Sequence, residues 1–372
     1  MNDKICYCIN PRCEKRVNPE DLLHCKNCGT ELVIGDRYRL SKPLRSLENS
    51  YQTEVFEIHD GETKKVLKVL TNTNAQWIDL FKRQALVLQK LRHPGIPKVE
   101  PDGYFTFTPN NSSRTLHCLV MELIEGLTLE EWLTKFGPIS QELALDWLKQ
   151  LTEILEQLHN NKLFHRDIKL GNIMLRNSPP PSELDSSKTG QLALIDFGTV
   201  REMSGTYLAK IGGGREITAT FSPGYTPIEQ VEGKAVPQSD FYSLGRTFVY
   251  LLTGKHPFDL PFDDNTGKLN WRKQAPKMSL AFAQLIDDLM ALFPGSRPQN
   301  AGIILQRIEE IKKNYPLTNL KAKTAENRWL FGINLVLLTM LLVTGAAWWE
   351  AKEQVRQIIL EIGIEERKST NF

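Results

Sequence analysis

Four cysteines near the start of the chain have the spacing of a metal site. Cys8 and Cys13 are separated by four residues, eleven more intervene, and Cys25 and Cys28 are separated by two, with Gly29 following. Polar and turn-forming residues fill the intervals, so the two pairs can set four thiolates tetrahedrally around one Zn2+. A segment this short has too little apolar surface to fold unaided, and metal binding would supply the missing folding energy. The alternative is an unfolded leader with reduced thiols. Five of the six cysteines lie within the first 28 residues, which suits local ligation in a reducing compartment better than a disulfide framework. Cys6 is then spare, His24 could replace one thiolate, and Cys118, in the apolar run Leu116 to Leu123, reads as a core residue.

A second group of reactive side chains lies in the middle of the chain, in His165-Arg166-Asp167-Ile168-Lys169-Leu170-Gly171-Asn172 and Asp196-Phe197-Gly198. The first string resembles the catalytic loop of the protein-kinase family and the second its metal-binding motif, and the resemblance covers roughly Tyr38 to Tyr315. It implies phosphoryl transfer to a hydroxyl, which needs a proton-accepting carboxylate, cations for the phosphates and ligands for magnesium. By that resemblance Asp167 orients and deprotonates the substrate hydroxyl, Lys169 contacts the transferring group, and Asn172 with Asp196 holds Mg2+, or Mn2+ in its place. A lysine two residues beyond Asp167 is the pattern of the serine/threonine branch.

The resemblance extends to the nucleotide. Lys68, inside VLKVL, matches the strand lysine that meets the α and β phosphates, with Lys64 or Lys65 as the alternative if the register slips. Val120-Met121-Glu122-Leu123 resembles the hinge, where backbone groups of Glu122 and Leu123 would receive adenine and Met121 would line the back of the pocket. FSPGYTPIEQ (Phe221 to Gln230) resembles the end of an activation segment, with Ser222 at the usual threonine position. Glu229 and Arg297 would form a buried ion pair, and Asp240 would brace the catalytic loop. Thr206, Thr218, Thr220 and Ser222 are candidate phosphosites, any of which is also an ordinary surface hydroxyl.

Two departures from the family pattern bear on ATP. No glycine occurs between Gly35 and Gly61, so the loop written GxGxxG in the family is here Leu44-Arg45-Ser46-Leu47-Glu48-Asn49-Ser50-Tyr51-Gln52-Thr53. Without glycine, a Cβ obstructs the approach of backbone N–H groups to phosphates. In FKRQA (Phe81 to Ala85), Gln84 stands where the family has glutamate. Gln84 can hydrogen-bond Lys68 but cannot neutralise it, and Asp79, some 140° round the helix, is a poor substitute. Weak or conditional activity follows from this reading; a pseudokinase acting as a signalling scaffold or nucleotide-sensing module is the alternative.

The elements that must position these groups follow from periodicity. Gly35 to Ile58 reads as a β-hairpin and Lys65 to Leu70 as a further strand, with another at His117 to Leu123. Helices are expected at Ala75 to Leu91, Thr128 to Lys135, Gln141 to Asn160, Ser239 to Thr253, Ser279 to Phe293 and Ala301 to Lys313. The proline- and serine-rich stretch Asn177 to Gly190 is an exposed loop. A small strand-rich lobe followed by a larger helical lobe results, α+β in class, and the resemblance implies that this is the bilobal protein-kinase fold over 35–316, behind a zinc-ribbon-like module over 1–34.

Residues 317–328 form a juxtamembrane linker. Trp329 to Trp349 then holds 21 residues without a charge, a length that as a helix spans about 31 Å and matches a bilayer core. Tryptophans mark both ends, as in interfacial belts. A buried soluble helix is the alternative. Lys312, Lys313, Lys321, Lys323 and Arg328 on one side favour a cytoplasmic kinase domain and an extracytoplasmic tail over 350–372. The N-terminus has no pattern of a secretory signal.

A formal charge of +2, from 46 basic and 44 acidic side chains that are well mixed, supplies no strong field for a nucleic-acid backbone, and nucleic acid is not an expected partner. A nucleic-acid-binding ribbon in the leader is disfavoured because its basic residues are few. The order of parts, running through CGTEL and GDRYRL, resembles bacterial receptor-like kinases, cyanobacterial ones in particular. It implies ATP, Mg2+ and structural Zn2+ as cofactors, proteins with Ser or Thr acceptors as substrates, one membrane span as anchor, and room for a homodimer that autophosphorylates.

Overall fold

The computed structural model describes residues 5–47, 52–72, 74–110, 112–183, 189–197, 201–202, 221–263, 266–314, 349, 352–354 and 356–357. The chain divides into two compact units, Met1–Glu309 and Glu310–Phe372. The described residues of the second are helical. Trp329 to Val343 and on to Trp348, the greater part of the expected membrane span, lie outside the described residues; among those described, no helix is long and apolar enough to cross a membrane.

In the first unit, the leader begins with β1 (Ile5–Tyr7) paired antiparallel to β2 (Val17–Pro19). Its next strand, β3 (Val33–Ile34), joins a six-stranded sheet instead of staying with the leader. That sheet continues with β4 (Tyr38–Pro43), β5 (Thr53–Asp60) and β6 (Thr63–Leu70), then, after a helix, β7 (Tyr104–Phe107) and β8 (Leu116–Glu122), in the order β3-β4-β5-β6-β8-β7. Alternation assigns the two faces. Phe56, Ile58, Leu67, Val69, Cys118 and Val120 pack on one face together with Ile9 of the leader, with Tyr7 against them. The cysteine-rich segment therefore covers an apolar face of the sheet. Burying Ile9 alone is worth about 2 kcal/mol.

The opposite face carries Val55, Val66 and Lys68 and receives α1 (Ala75–Lys90). Asn74 caps α1 by accepting the Gln76 N–H at 2.9 Å, and Phe81, Gln84, Ala85 and Leu88 form its buried stripe at helical spacing. The chain turns extended at Leu91, just before Arg92-His93-Pro94.

The second lobe is mostly helical. After β9 (Gly126–Thr128) come α2 (Leu129–Phe136), opened by a Thr128–Glu131 capping box, and α3 (Gln141–Asn160), capped by Ser140. The short β10 (Leu163–Phe164) leads into the catalytic-loop string. β11 (Ile173–Arg176) and β12 (Leu192–Leu194) then pair in the register Ile173↔Leu194. Further helices are α4 (Ile228–Val231), α5 (Pro237–Thr253) and α6 (Leu280–Leu289), and residues 301–314 are also helical. α5 starts two residues before the expected Ser239 because Pro237, with φ already preset, suits the first helical position. α6 ends at Leu289, short of the expected Phe293, because Pro294 holds Phe293 extended at φ −93°, ψ 134°.

Candidate active site

A cleft of about 550 Å3 lies between the sheet and the helical lobe, within the usual range for small-molecule sites. Its sheet wall is Val55, Val66, Lys68 and Met121, its base is Met174, Ile195, Asp196 and Phe197, and Glu122 to Gly126 form its rim. Gln84 reaches it from α1.

The β11–β12 pairing brings the two reactive strings together. Because Ile173 faces Leu194, the residues just outside the pair also meet, and Ile195 N–H donates to the Asn172 carbonyl at 2.8 Å. Asn172 and Asp196 are thus held at one end of one small sheet. The catalytic-loop string is fixed from behind by Asp240 on α5, whose carboxylate accepts the N–H groups of His165 at 2.9 Å and Arg166 at 2.7 Å. His159 Nε2 lies 2.9 Å from the same carboxylate. His165 is fully buried, burial pushes its pKa down, and its ring packs edge-on against Phe197 at 5.1 Å. Arg166 and Asp196 both adopt positive φ, 70° and 61°, a strained conformation for residues other than glycine that surrounding contacts must maintain.

Asp167 is the hub. Asn172 Nδ2 donates to its Oδ2 at 2.8 Å and to its carbonyl at 2.9 Å, and Ser222 Oγ donates to its Oδ1 at 2.8 Å. Lys169 Nζ bridges Asp167 Oδ2 at 3.0 Å and Ser222 Oγ at 3.1 Å. The segment carrying Ser222 is anchored by Glu229 at the start of α4, which meets the fully buried Arg297 guanidinium at 2.6 Å. Both the expected ion pair and the expected Asp240 brace are present.

Lys68 is 6% exposed, and its Nζ donates to Asp196 Oδ1 at 2.7 Å. Of the three candidate lysines, Lys68 is the one that meets Asp196, whereas Lys65 pairs with Asp60 and Lys64 with Glu57. The expected Lys68–Gln84 hydrogen bond is absent among the described residues. A carboxylate attracts an ammonium more strongly than an amide does, and Asp196 takes the lysine. Asp79 forms an exposed pair with Arg83 at 2.9 Å and does not replace the missing glutamate. Arg45 reaches the other oxygen of Asp196, Nη2 to Oδ2 at 3.1 Å. Burial opposes ionisation of Asp196, but Lys68 and Arg45 outweigh it and hold the carboxyl well below the usual carboxylate range.

Met121, Glu122 and Leu123 line the cleft as expected for a hinge, together with Ile124. The Glu122 N–H, however, already donates to the Lys98 carbonyl at 2.8 Å, and its side chain meets Arg176 at 2.7 Å. Sequence reasoning missed Val66, Met174 and Ile195 as lining residues. The alternation Val66–Lys68 was the available signal for the first. Sequence pattern also assigns Arg45 no role, because the legible feature of that loop is its lack of glycine. Residues 48–51 of that loop, Gly198, Thr206, Thr218 and Thr220 lie outside the described residues.

In the leader, the Sγ atoms of Cys8, Cys13, Cys25 and Cys28 all lie within 4.8 Å of one another, with Cys8–Cys28 and Cys13–Cys25 at 3.6 Å. Four sulfurs about 2.3 Å from one zinc stand about 3.8 Å apart, so the donor set fits that ion, whereas 3.6 Å is far beyond a disulfide. Cys6 is outside the set: its thiol donates to the Pro19 carbonyl at 3.4 Å. His24 is also outside it and makes an isolated bridge to Glu31.

Comparison with known proteins agrees with this geometry. Residues 52–310 match the model of the protein kinase domain. Among curated proteins, the chain is 34% identical over 300 residues to serine/threonine-protein kinase PknA of a Nostoc species, covering 77% of this chain and 50% of the relative. It is 34% identical over 298 residues to serine/threonine-protein kinase C of a Synechocystis species, and 35% over 310 residues to kinase F of the same source. Those matches cover 77% and 78% of this chain, and 52% and 58% of the relatives. The chain spans about half the length of the curated relatives it matches. With the two reactive strings meeting at the base of a cleft between a sheet lobe and a helical lobe, and with that match over most of its length, this chain belongs to the protein kinase domain family.

Proposed function

We propose that the protein is a serine/threonine protein kinase, transferring the γ-phosphoryl group of ATP to serine or threonine hydroxyls of other proteins. The Asp167–Lys169–Asn172–Ser222 network beside Asp196 is the observation that carries this reading. Asp167 Oδ1 already receives a hydroxyl proton donor, Ser222 Oγ, at 2.8 Å, so an acceptor hydroxyl can bind the same carboxylate and lose its proton to it. Lys169, held at 3.0 Å from Asp167, brings positive charge to where the transferring group develops negative charge. Asn172 uses its amide N–H groups on Asp167, and its Oδ1 accepts no bond from a described residue. That oxygen and the Asp196 carboxylate form an all-oxygen donor set that suits Mg2+ or Mn2+. Such a metal, when bound, would neutralise phosphate charge.

One observation favours a pseudokinase instead: both Asp196 oxygens are taken by cations of the protein, which a metal must displace. Thermal shift with ATP, with and without Mg2+, separates the two. Mg2+-dependent stabilisation by ATP supports the kinase; stabilisation that Mg2+ leaves unchanged supports a nucleotide-sensing module.

The remaining assignments are proposals of the same standing. Residues 1–34 hold a structural Zn2+ on Cys8, Cys13, Cys25 and Cys28, supported by the sulfur geometry. Residues 329–349 cross a membrane once, with the kinase domain of 35–316 on the cytoplasmic side, supported by the uncharged run and its basic flank. Arg166 beside Asp167 suits sensing of a phosphate placed by autophosphorylation within a homodimer.

A further inference from the structure

Arg45 occupies a stretch where the family has glycine, and the backbone beside it is tied to the sheet. One residue earlier, the Leu44 N–H donates to the Val55 carbonyl at 2.8 Å, tying the chain to β5 at the rim of the cleft. Arg45 leaves the sheet from that point, and its guanidinium reaches Asp196 at 3.1 Å while Lys68 holds the other oxygen at 2.7 Å. The side chain is 39% exposed, so it has room to turn.

The two departures that look like losses in the sequence act in the same direction at this site. Arg45, in the stretch that resembles the family's glycine loop, adds one positive charge, and Gln84 where the family has glutamate removes one negative charge. Lys68, Arg45 and Asp196 together carry a net charge of about +1, with no counter-charge from α1. A ligand with several anionic oxygens is what such a cluster attracts, and a planar guanidinium matches phosphate oxygens two at a time. Backbone N–H groups around glycine would supply neutral donors at the same end of the cleft.

We infer that Arg45 is a phosphate-binding residue of the nucleotide site, replacing by charge the N–H donors that a glycine loop would provide. The inference rests on the nucleotide-site reading above and adds the residue that grips the polyphosphate. On nucleotide entry the guanidinium turns from Asp196 to the phosphates, staying within the same cleft.

The test is titration calorimetry on the full chain in magnesium-free buffer, with adenosine, ADP and ATP as probes. Arg45→Ala weakens ADP and ATP by about 10- to 100-fold, the size of a lost charge-assisted contact, and leaves adenosine unchanged. Arg45→Lys recovers part of the loss, and the salt dependence of ATP binding becomes shallower in Arg45→Ala. Unchanged or tighter ADP and ATP binding in Arg45→Ala overturns the inference, because Arg45 would then be a latch on Asp196. An equal loss for adenosine also overturns it, because the residue would then only shape the pocket. Wild-type protein that binds none of the three probes removes the nucleotide-site reading itself, which distinguishes that failure from failure of the Arg45 assignment alone.

Discussion

Asp60 stands at the turn between β5 and β6, where Arg37 forks onto both of its oxygens at 2.7 and 2.8 Å and Lys65 adds a bond at 2.7 Å. These bonds, Arg37 first, bring its pKa from the usual 3.8 down to about 2. A depressed carboxyl pKa contributes stability that is fully present above the unfolded value near pH 4 and is lost as pH falls through about 2. Solvent around the half-exposed Arg37 reduces the effect to about 1 kcal/mol. Asp60→Asn should therefore be less stable than wild type at pH 7 by about that amount, with the difference closing between pH 4 and pH 2 in urea melts. As candidates, Asp167, Asn172 and Asp196 were legible in the sequence, because the proposed chemistry needs particular residue types at short spacing. Arg45 was not, because its partner lies 151 residues away and local pattern carries no information about that distance. Gln84 was legible as a change, but its consequence, the transfer of Lys68 to Asp196, depended on a choice between partners that only the three-dimensional arrangement shows.

The leader and β5 are joined as elements. Arg16, between the two cysteine pairs, forks onto Glu54 of β5 at 2.8 and 2.9 Å, lies over the Phe56 ring at 5.3 Å, and exchanges bonds with the Cys8 backbone. The next residue, Val55, lines the cleft. A metal held by the leader would therefore bear on a strand that forms the wall of the cleft. If the leader holds zinc, stripping it with a chelator should lower the melting temperature and raise hydrogen exchange across Thr53 to Ile58, whereas exchange in α3 and α5 stays slow. Arg16→Ala should cost about 2 kcal/mol by leaving Glu54 unpaired, and calorimetric melting would measure it. Long helices such as α3 were legible to the residue, since apolar period and the Ser140 cap agree. β7, β9, β11 and β12 were not, being three or four residues long, too short for alternation to show. β3 was hidden because an edge strand of two residues gains its identity from the neighbour it pairs with.

At the scale of the molecule, a leader with four clustered thiols precedes a two-lobed kinase domain, and an uncharged run follows it in the sequence. If 329–349 spans a bilayer, the full chain should sediment with membranes and resist carbonate extraction, while a chain ending at residue 314 should be released; full-length protein in the soluble fraction would remove the anchor. The central claim is phosphoryl transfer, and the measurement that tests it most directly follows γ-phosphate from ATP to serine and threonine in the full chain and its Asp167→Asn variant, with Mg2+ present and both proteins melting alike. The account predicts incorporation on serine or threonine by the wild type and a loss of about 100- to 10,000-fold in the variant. Folded wild-type protein that transfers no phosphate, or an Asp167→Asn variant that transfers it equally well, would contradict it.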